Sequence, residues 1–264
     1  MILSSMCNGD PPPPGFNDLL GVFLPKGSTD EDTAKSAKRT ADNTRPLGLK
    51  NTDNKTVAAV ANRSITPTIA ANADNSQNGF VIRRQGIDNV AVLDAQSRIQ
   101  DHIAGANPAL TTENLPIMPL YDFCAAFPSV AHEFIFIVLT ALKIPQGLFL
   151  FLKSLYENIR CVGCFDGVSI FLYLIQSGII QGCPASGSVF VLVVDGFLKL
   201  LNTIEKEATT RAFADDIGSV IPALHMLPKY YRAFNVFERI SGLGLKATKM
   251  CHHPPWQKTH SRTH

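Results

Sequence analysis

Apolar and polar positions alternate with different periods along the chain, and the changes of period divide it. Up to about Asn43 the sequence is interrupted by Pro, Gly, Ser, Thr and charge, including PPPPG at 11–15. Residues 1–43 are therefore expected to be loosely ordered. KTVAAVANR at 55–63 places Ala and Val at helical spacing behind Asp53, a candidate cap for a short helix ending at Arg63. Ser64 to Gly79, largely polar and carrying Pro67, reads as a connection. A second helix is predicted from about Asp88 to Ile103, with Val92, Ala95, Ile99 and Ile103 on one face.

The pattern changes at Ile117. IMPLYDF is a short strand ending near Asp122, with Pro119 suggesting an edge position or a late start. Two apolar helices follow, Ser129–Leu142 and Gln146–Asn158, split by Pro145. Two strands flank Asp166-Gly167, a hairpin signal. SGIIQGCPASG leads into a buried helix at about Ser188–Ile204. A second hairpin joins Thr209–Phe213 to Ile217–Ile221 around Asp215-Asp216, and a helix near Leu224–Ile240 runs into the turn SGLGL. Helices packed on one face of a small antiparallel sheet make an α+β domain.

With 264 residues, 45% of them hydrophobic, the chain can bury a sizeable core as one domain or two subdomains. Its net charge is only +2, but ten Lys or Arg lie between Ala34 and Gln100 against five Asp. Such a local excess suits a polyanionic partner, and equally a solvated surface. No secretory signal opens the sequence, so the six cysteines are expected as reduced thiols inside the cell, in nucleus or cytoplasm. Lys143, Pro145 and Asp195 interrupt the longest apolar runs, which read as core helices rather than membrane spans.

The chemistry concentrates in RAFADDIGSV at 211–220. Adjacent carboxylates at a hairpin tip are ordinarily a solvated turn. Brought beside Asp122 on a neighbouring strand, they repel one another unless a cation neutralises them, and magnesium favours such hard oxygen ligands. Cys161 and Cys164 have metal-pair spacing, as do His260 and His264. The gap between the pairs is far too long for a zinc finger, and three residues apart in a strand the two cysteines face opposite ways. Cys251-His252-His253 suggests metal binding, with tail disorder as the rival reading. Cys183 reads as a small packed residue, and His132 and His225 as helix-surface residues.

Motif by motif, the chain resembles the reverse transcriptase domain of non-LTR (LINE-like) retrotransposons. DFCAAFPSV at 122–130 is similar to the family's first catalytic block, SGIIQGCPASGSVF at 177–190 to its "QGcPlSg" block, and FADD at 213–216 to its "[YF]ADD" box. SGLGLKATKM at 241–250 resembles the block that follows. LPKG (24–27), RPLGLKNTDNK (45–55) and NGFVIRRQGIDNV (78–90) extend the likeness upstream in the family's order. Departures are Ala185 for leucine, Gly48 for serine and Phe213 for the commoner tyrosine.

The resemblance implies a right-hand polymerase with fingers and palm at 44–250, and the tail at 251–264, which shows no likeness to the family, is expected to be disordered. Asp122 and Asp215 are implied to hold two Mg²⁺ ions, with the Phe123 carbonyl as a further ligand and Asp216 supporting the site. Phe127 is implied to lie against the sugar and exclude a 2′-hydroxyl, and Gln181 and Gly182 to meet the incoming nucleotide. Lys55 and Arg63 are implied to neutralise the triphosphate, Arg83 and Arg84 to touch template phosphates, and Lys249 to protonate pyrophosphate. The implied activity is RNA-directed DNA synthesis by two-metal nucleotidyl transfer, with RNA template, DNA primer and deoxynucleoside triphosphates as partners. The chain stops about fifteen residues after Lys249, where the family continues into a thumb. The thumb is thus expected to be absent, and the alternative is an inactive, truncated retroelement remnant that at most binds nucleic acid.

Overall fold

Each of the two units of this chain is assembled from two separated segments: Met1–Ile65 with Ala131–Ser186, and Thr66–Val130 with Gly187 onward. The computed structural model describes residues 1–30, 32, 33, 36–40 and 43–246, and the backbone of 251–253.

The first unit is built on a four-stranded sheet in the order β2-β1-β4-β5. Strand β1 (Leu19–Pro25) pairs antiparallel with β2 (Thr44–Lys50) and parallel with β4 (Ile159–Phe165), which forms a hairpin with β5 (Val168–Ile175). The hairpin turn is Asp166-Gly167, with φ of 48° and 80°, the left-handed pair of a type I′ turn. Cys161 is buried and Cys164 exposed, as their spacing predicts. Helix α1 (Ile2–Cys7) packs on α6 (Gln146–Ser154), with α5 (His132–Ala141) beside it. The first 43 residues, expected to be loose, thus contain a helix and a central strand. Pairing with β2 and β4, both distant in sequence, supplies an order that the local composition does not encode.

Buried polar side chains tie this unit together. Asn17 Nδ2 donates to the carbonyls of Ser154 (2.7 Å) and Glu157 (2.8 Å), and Lys50 Nζ donates to the Asn17 carbonyl (2.7 Å). Burial pushes the Lys50 ammonium down to about 8, because desolvation disfavours the charged form.

Helix α2 (Thr52–Asn72) is longer than predicted, and the boundary between the units falls inside it, after Ile65. Asn51 rather than Asp53 caps it, its Oδ1 accepting the Asn54 N–H at 2.8 Å. The helix continues through Pro67 and much of the predicted connection. Its last carbonyls have a partner that local sequence does not show. Arg84 donates to Ala70 (3.3 Å) and Ala73 (3.0 Å).

In the second unit the sheet order is β6-β7-β3-β8, all antiparallel: β6 Thr209–Phe213, β7 Asp216–Val220, β3 Met118–Tyr121, β8 Cys251–His253. Pro119 is therefore not on an edge of this sheet. The β7 register starts only at Leu120, which leaves Pro119 to the β8 side. Residues 251–253, inside the tail expected to be disordered, run as a strand, and 254–264 lie outside the described residues.

Helices α7 (Ser186–Ile204) and α8 (Leu227–Ser241) fill one side of this sheet. Tyr121 and Phe123 point into an aromatic cluster. Tyr121 lies 4.5 Å from the Phe234 ring, and Phe197 stacks on Phe237 at 4.1 Å. Helix α7 is long and apolar enough to span a membrane by length and composition, and 56% of that stretch is buried in the protein. Its Asp195 accepts the Asp74 N–H at 2.6 Å.

Helix α3 (Gly86–Gly105) lies against β6 and β7 from the opposite face. Its orientation inverts the prediction. Asn89, Ser97, Gln100 and Ala104 are buried, while Ala95, Ile99 and Ile103 are exposed. On the buried face, Asn89 Nδ2 donates to the Ala212 carbonyl at 2.8 Å.

Candidate functional site

Strand alternation places the acidic residues. Successive side chains in a strand point to opposite faces. With Tyr121 and Phe123 committed to the aromatic core, Asp122 between them is turned to the outer face. On β7, Ile217 and Ser219 are buried inward, which turns Asp216 outward. The register pairs Tyr121 with Ile217, so Asp122, just after Tyr121, and Asp216, just before Ile217, lie at the same end of the β3–β7 seam, and both line one cavity. Phe213 pairs with Asp216, leaving Ala214 and Asp215 as the two-residue turn. The turn thus lies one residue earlier than predicted, with Asp216 opening β7.

This arrangement is electrostatically loaded. Burial pushes the Asp215 carboxyl above its usual range, and the carboxylates of Asp216 and Asp122 push it further. No ion pair among the described residues involves Asp215 or Asp216. Nor do three or more His, Cys, Asp or Glu side chains form a ready-made cation cage among the described residues. Closely set carboxylates fit magnesium, which normally completes its shell with water and substrate phosphate. The Phe123 carbonyl takes no part in the pairing with Leu245, which uses the Asp122 carbonyl and the Cys124 N–H.

Phe127 belongs to the same unit as the carboxylates, on the short helix α4 (Ala126–Ser129). It is half-buried, stacked on Phe190 at 4.5 Å and set edge-on to Phe80 at 5.9 Å. Gln181 and Gly182 belong to the first unit, as do Lys55 and Arg63, both exposed on α2. Gly182 (φ 107°) has a structural task there: a Cβ would lie 2.5 Å from the Gly48 carbonyl oxygen. Lys249 lies outside the described residues.

Two other expectations, for Arg84 and His132, are corrected. Arg84 does not present its guanidinium to a template, because it donates to the carbonyls of Ala70, Ala73, Asp74 and Gln77. Arg83 is exposed. His132 is buried rather than on the surface, with Nε2 3.0 Å from the Gly178 carbonyl, and desolvation pushes its pKa down.

Sequence reasoning missed the residues that support the hairpin tip. Gln77 and Gly79 lie against Ala214, and Asn89 lines a cavity of about 370 Å³ with Val90, Leu120, Asp122 and Phe213. The signal was a polar QNG inside a stretch assigned to a connection.

The reverse transcriptase (RNA-dependent DNA polymerase) profile matches residues 33–259. The chain is 27% identical over 224 residues to a Xenopus laevis protein named "Transposon TX1 uncharacterized 149 kDa protein", covering 81% of this chain and 16% of that one. It is 28% identical over 205 residues to the Pol polyprotein of the type-2 retrotransposable element R2DM of Drosophila melanogaster, covering 74% and 17% respectively. The chain thus spans about a sixth of the length of these curated relatives. In fold it is similar to a telomerase from Candida Tropicalis solved in complex with a TWJ fragment of telomeric RNA. That match has a TM-score of 0.63 and 11% identity, and covers 90% of this chain and 41% of the telomerase.

Proposed function

Because this chain belongs to the reverse transcriptase (RNA-dependent DNA polymerase) family, we propose that it carries the nucleotidyl-transfer site of an RNA-directed DNA polymerase. The observation that carries this reading is the convergence of Asp122 with Asp215 and Asp216 at the open end of the β3–β7 seam. The carboxylates of Asp122 and Asp215, with the Phe123 carbonyl, would hold two magnesium ions. When bound, those ions would activate the primer hydroxyl and neutralise charge on the phosphates.

The reaction joins the primer 3′-oxygen to the α-phosphorus of a deoxynucleoside triphosphate and breaks the bond to pyrophosphate. Asp216 supports the primer terminus. Phe127, stacked on Phe190, would meet a 2′-hydroxyl with its exposed side. Lys55 and Arg63 supply positive charge for the triphosphate, Gln181 and Gly182 contact the nucleotide, and Lys249 gives the leaving pyrophosphate its proton. Alignment and charge neutralisation, rather than covalent chemistry, do most of the catalysis.

Primer extension on a poly(A) template with Mg²⁺ tests the proposal. Incorporation of deoxynucleotides by the wild type and its loss in Asp215→Asn supports it. No incorporation by the wild type at high protein concentration overturns it in favour of a protein that at most binds nucleic acid.

A further inference from the structure

The turn that carries Asp215 is a poor turn by its own chemistry. Ala214 has φ 57°, a left-handed conformation in which the Cβ of an L-residue crowds the following carbonyl oxygen, and no glycine relieves it. A strained turn keeps one shape only when its surroundings over-determine it.

We propose that Gln77 is a positioning residue for the catalytic turn, its side-chain amide gripping the peptide groups on both sides of Ala214 and thereby fixing Asp215. This rests on the reading of Asp215 as a catalytic carboxylate. Gln77 is fully buried. Its Oε1 accepts the Ala214 N–H at 2.9 Å and the Gly79 N–H at 2.7 Å, and its Nε2 donates to the Ala214 carbonyl at 3.2 Å. Both acceptor sites of the side-chain oxygen are thus occupied. The Ala214 carbonyl belongs to the peptide unit whose nitrogen is that of Asp215. Holding it fixes the direction in which the Asp215 side chain leaves the backbone.

The residue that reaches the tip is itself rigidly mounted. Its neighbours pair with β6 like a further strand: the Ala212 N–H donates to the Ser76 carbonyl at 2.7 Å and the Asn78 N–H to the Ala212 carbonyl at 2.8 Å. Arg84 holds the same segment from behind through the Asp74 and Gln77 carbonyls (2.5 and 2.9 Å). Gly79 closes the contact, since a Cβ there would lie 2.0 Å from the Ala214 nitrogen and 2.8 Å from its Cα. A neutral amide also suits the place. It satisfies both peptide groups without adding a charge beside carboxylates that already repel one another.

The test combines kinetics with amide hydrogen exchange on Gln77→Met, which keeps the volume and removes the polar atoms, and on Gly79→Ala, which pushes the turn while leaving the Gln77 side chain in place. Each variant is expected to lower kcat for primer extension about a hundredfold, with the KM for nucleotide within about threefold. The Ala214 amide should exchange faster in Gln77→Met, while the Ser219 amide in the same hairpin stays protected. The proposal is overturned by a wild-type kcat in Gln77→Met, or by lost activity with Ala214 protection intact. It is also overturned by equal loss of protection at Ser219 in both variants, which would make Gln77 a residue of general stability. If the wild type incorporates nothing, the functional reading fails, and the exchange experiment still decides whether Gln77 holds the turn.

Discussion

The two units each contain a hairpin closed by two residues, and the hairpins keep their shape by opposite means. At the β4–β5 tip, Asp166-Gly167 is the dipeptide that a type I′ turn asks for, and nothing lies within 4 Å of where a Gly167 Cβ would be. Sequence and geometry agree there, and the turn stands in solvent unaided. At the β6–β7 tip, Ala214-Asp215 has the wrong chemistry for its backbone, and a segment more than a hundred residues upstream supplies two hydrogen bonds through Gln77 and a close backbone contact through Gly79. A tip that only connects strands can be locally encoded. A tip that must present a carboxylate at one position takes its shape from elsewhere.

The largest effect expected from this contrast comes from making the same substitution at both tips. Asp215→Asn is expected to lower primer extension by at least about a thousandfold, the scale of removing a key electrostatic group. Asp166→Asn keeps a sequence that suits the turn and should leave the rate unchanged and stability within about 0.5 kcal/mol. Incorporation assays and urea melts of both variants decide this, and equal rate losses would erase the distinction.

Next in size is glycine-to-alanine replacement beside each turn. Gly79→Ala forces a methyl into the Ala214 backbone and is expected to cost about 1–3 kcal/mol. Gly167→Ala meets no atom and suffers only its positive φ, about 1 kcal/mol. Denaturant midpoints at constant m-value would measure both, and an equal cost would show that the second tip is not packed from outside.

The smallest expected effect is electrostatic. The folded-state pKa of Asp215 is raised, so the stability gained by its protonated form is complete below the ordinary carboxylate value and is lost as pH rises through the raised one. Without divalent cations, Asp215→Asn should therefore melt with the wild type at low pH and above it near neutrality. Partial exposure keeps the gap to about a degree or two. Calorimetry across the acidic range would show it, and a gap that widened on acidification would reverse the assigned sign.

What was legible in the sequence follows from the range of the interactions that encode it. The hairpin at Asp166-Gly167 needed only four residues to announce itself. The nearness of Asp122 to Asp215 and Asp216 was anticipated because their motifs are short and each marks the end of a strand. The extension of α2 past Pro67 was not legible, because Arg84 satisfies its final carbonyls from beyond the following loop. Strand β1 was missed for a similar reason, its order coming from β2 and β4. The face of α3 was mistaken because hydrophobic periodicity assumes that apolar area alone chooses the buried side. Here a single asparagine reaching the Ala212 carbonyl helps set the orientation.

The sequence by itself determined which residues are candidates for the chemistry and where most of the later helices, strands and turns lie, since both depend on side-chain type and spacing over a few residues. Tertiary structure alone decided that Asp122 and Asp216 lie at the same end of one seam, that no ion pair among the described residues involves Asp215 or Asp216, and that Gln77 holds the turn. Each of these requires parts of the chain far apart in sequence to meet. A meeting of that kind is specified by the packing of the whole core rather than by any one stretch within it.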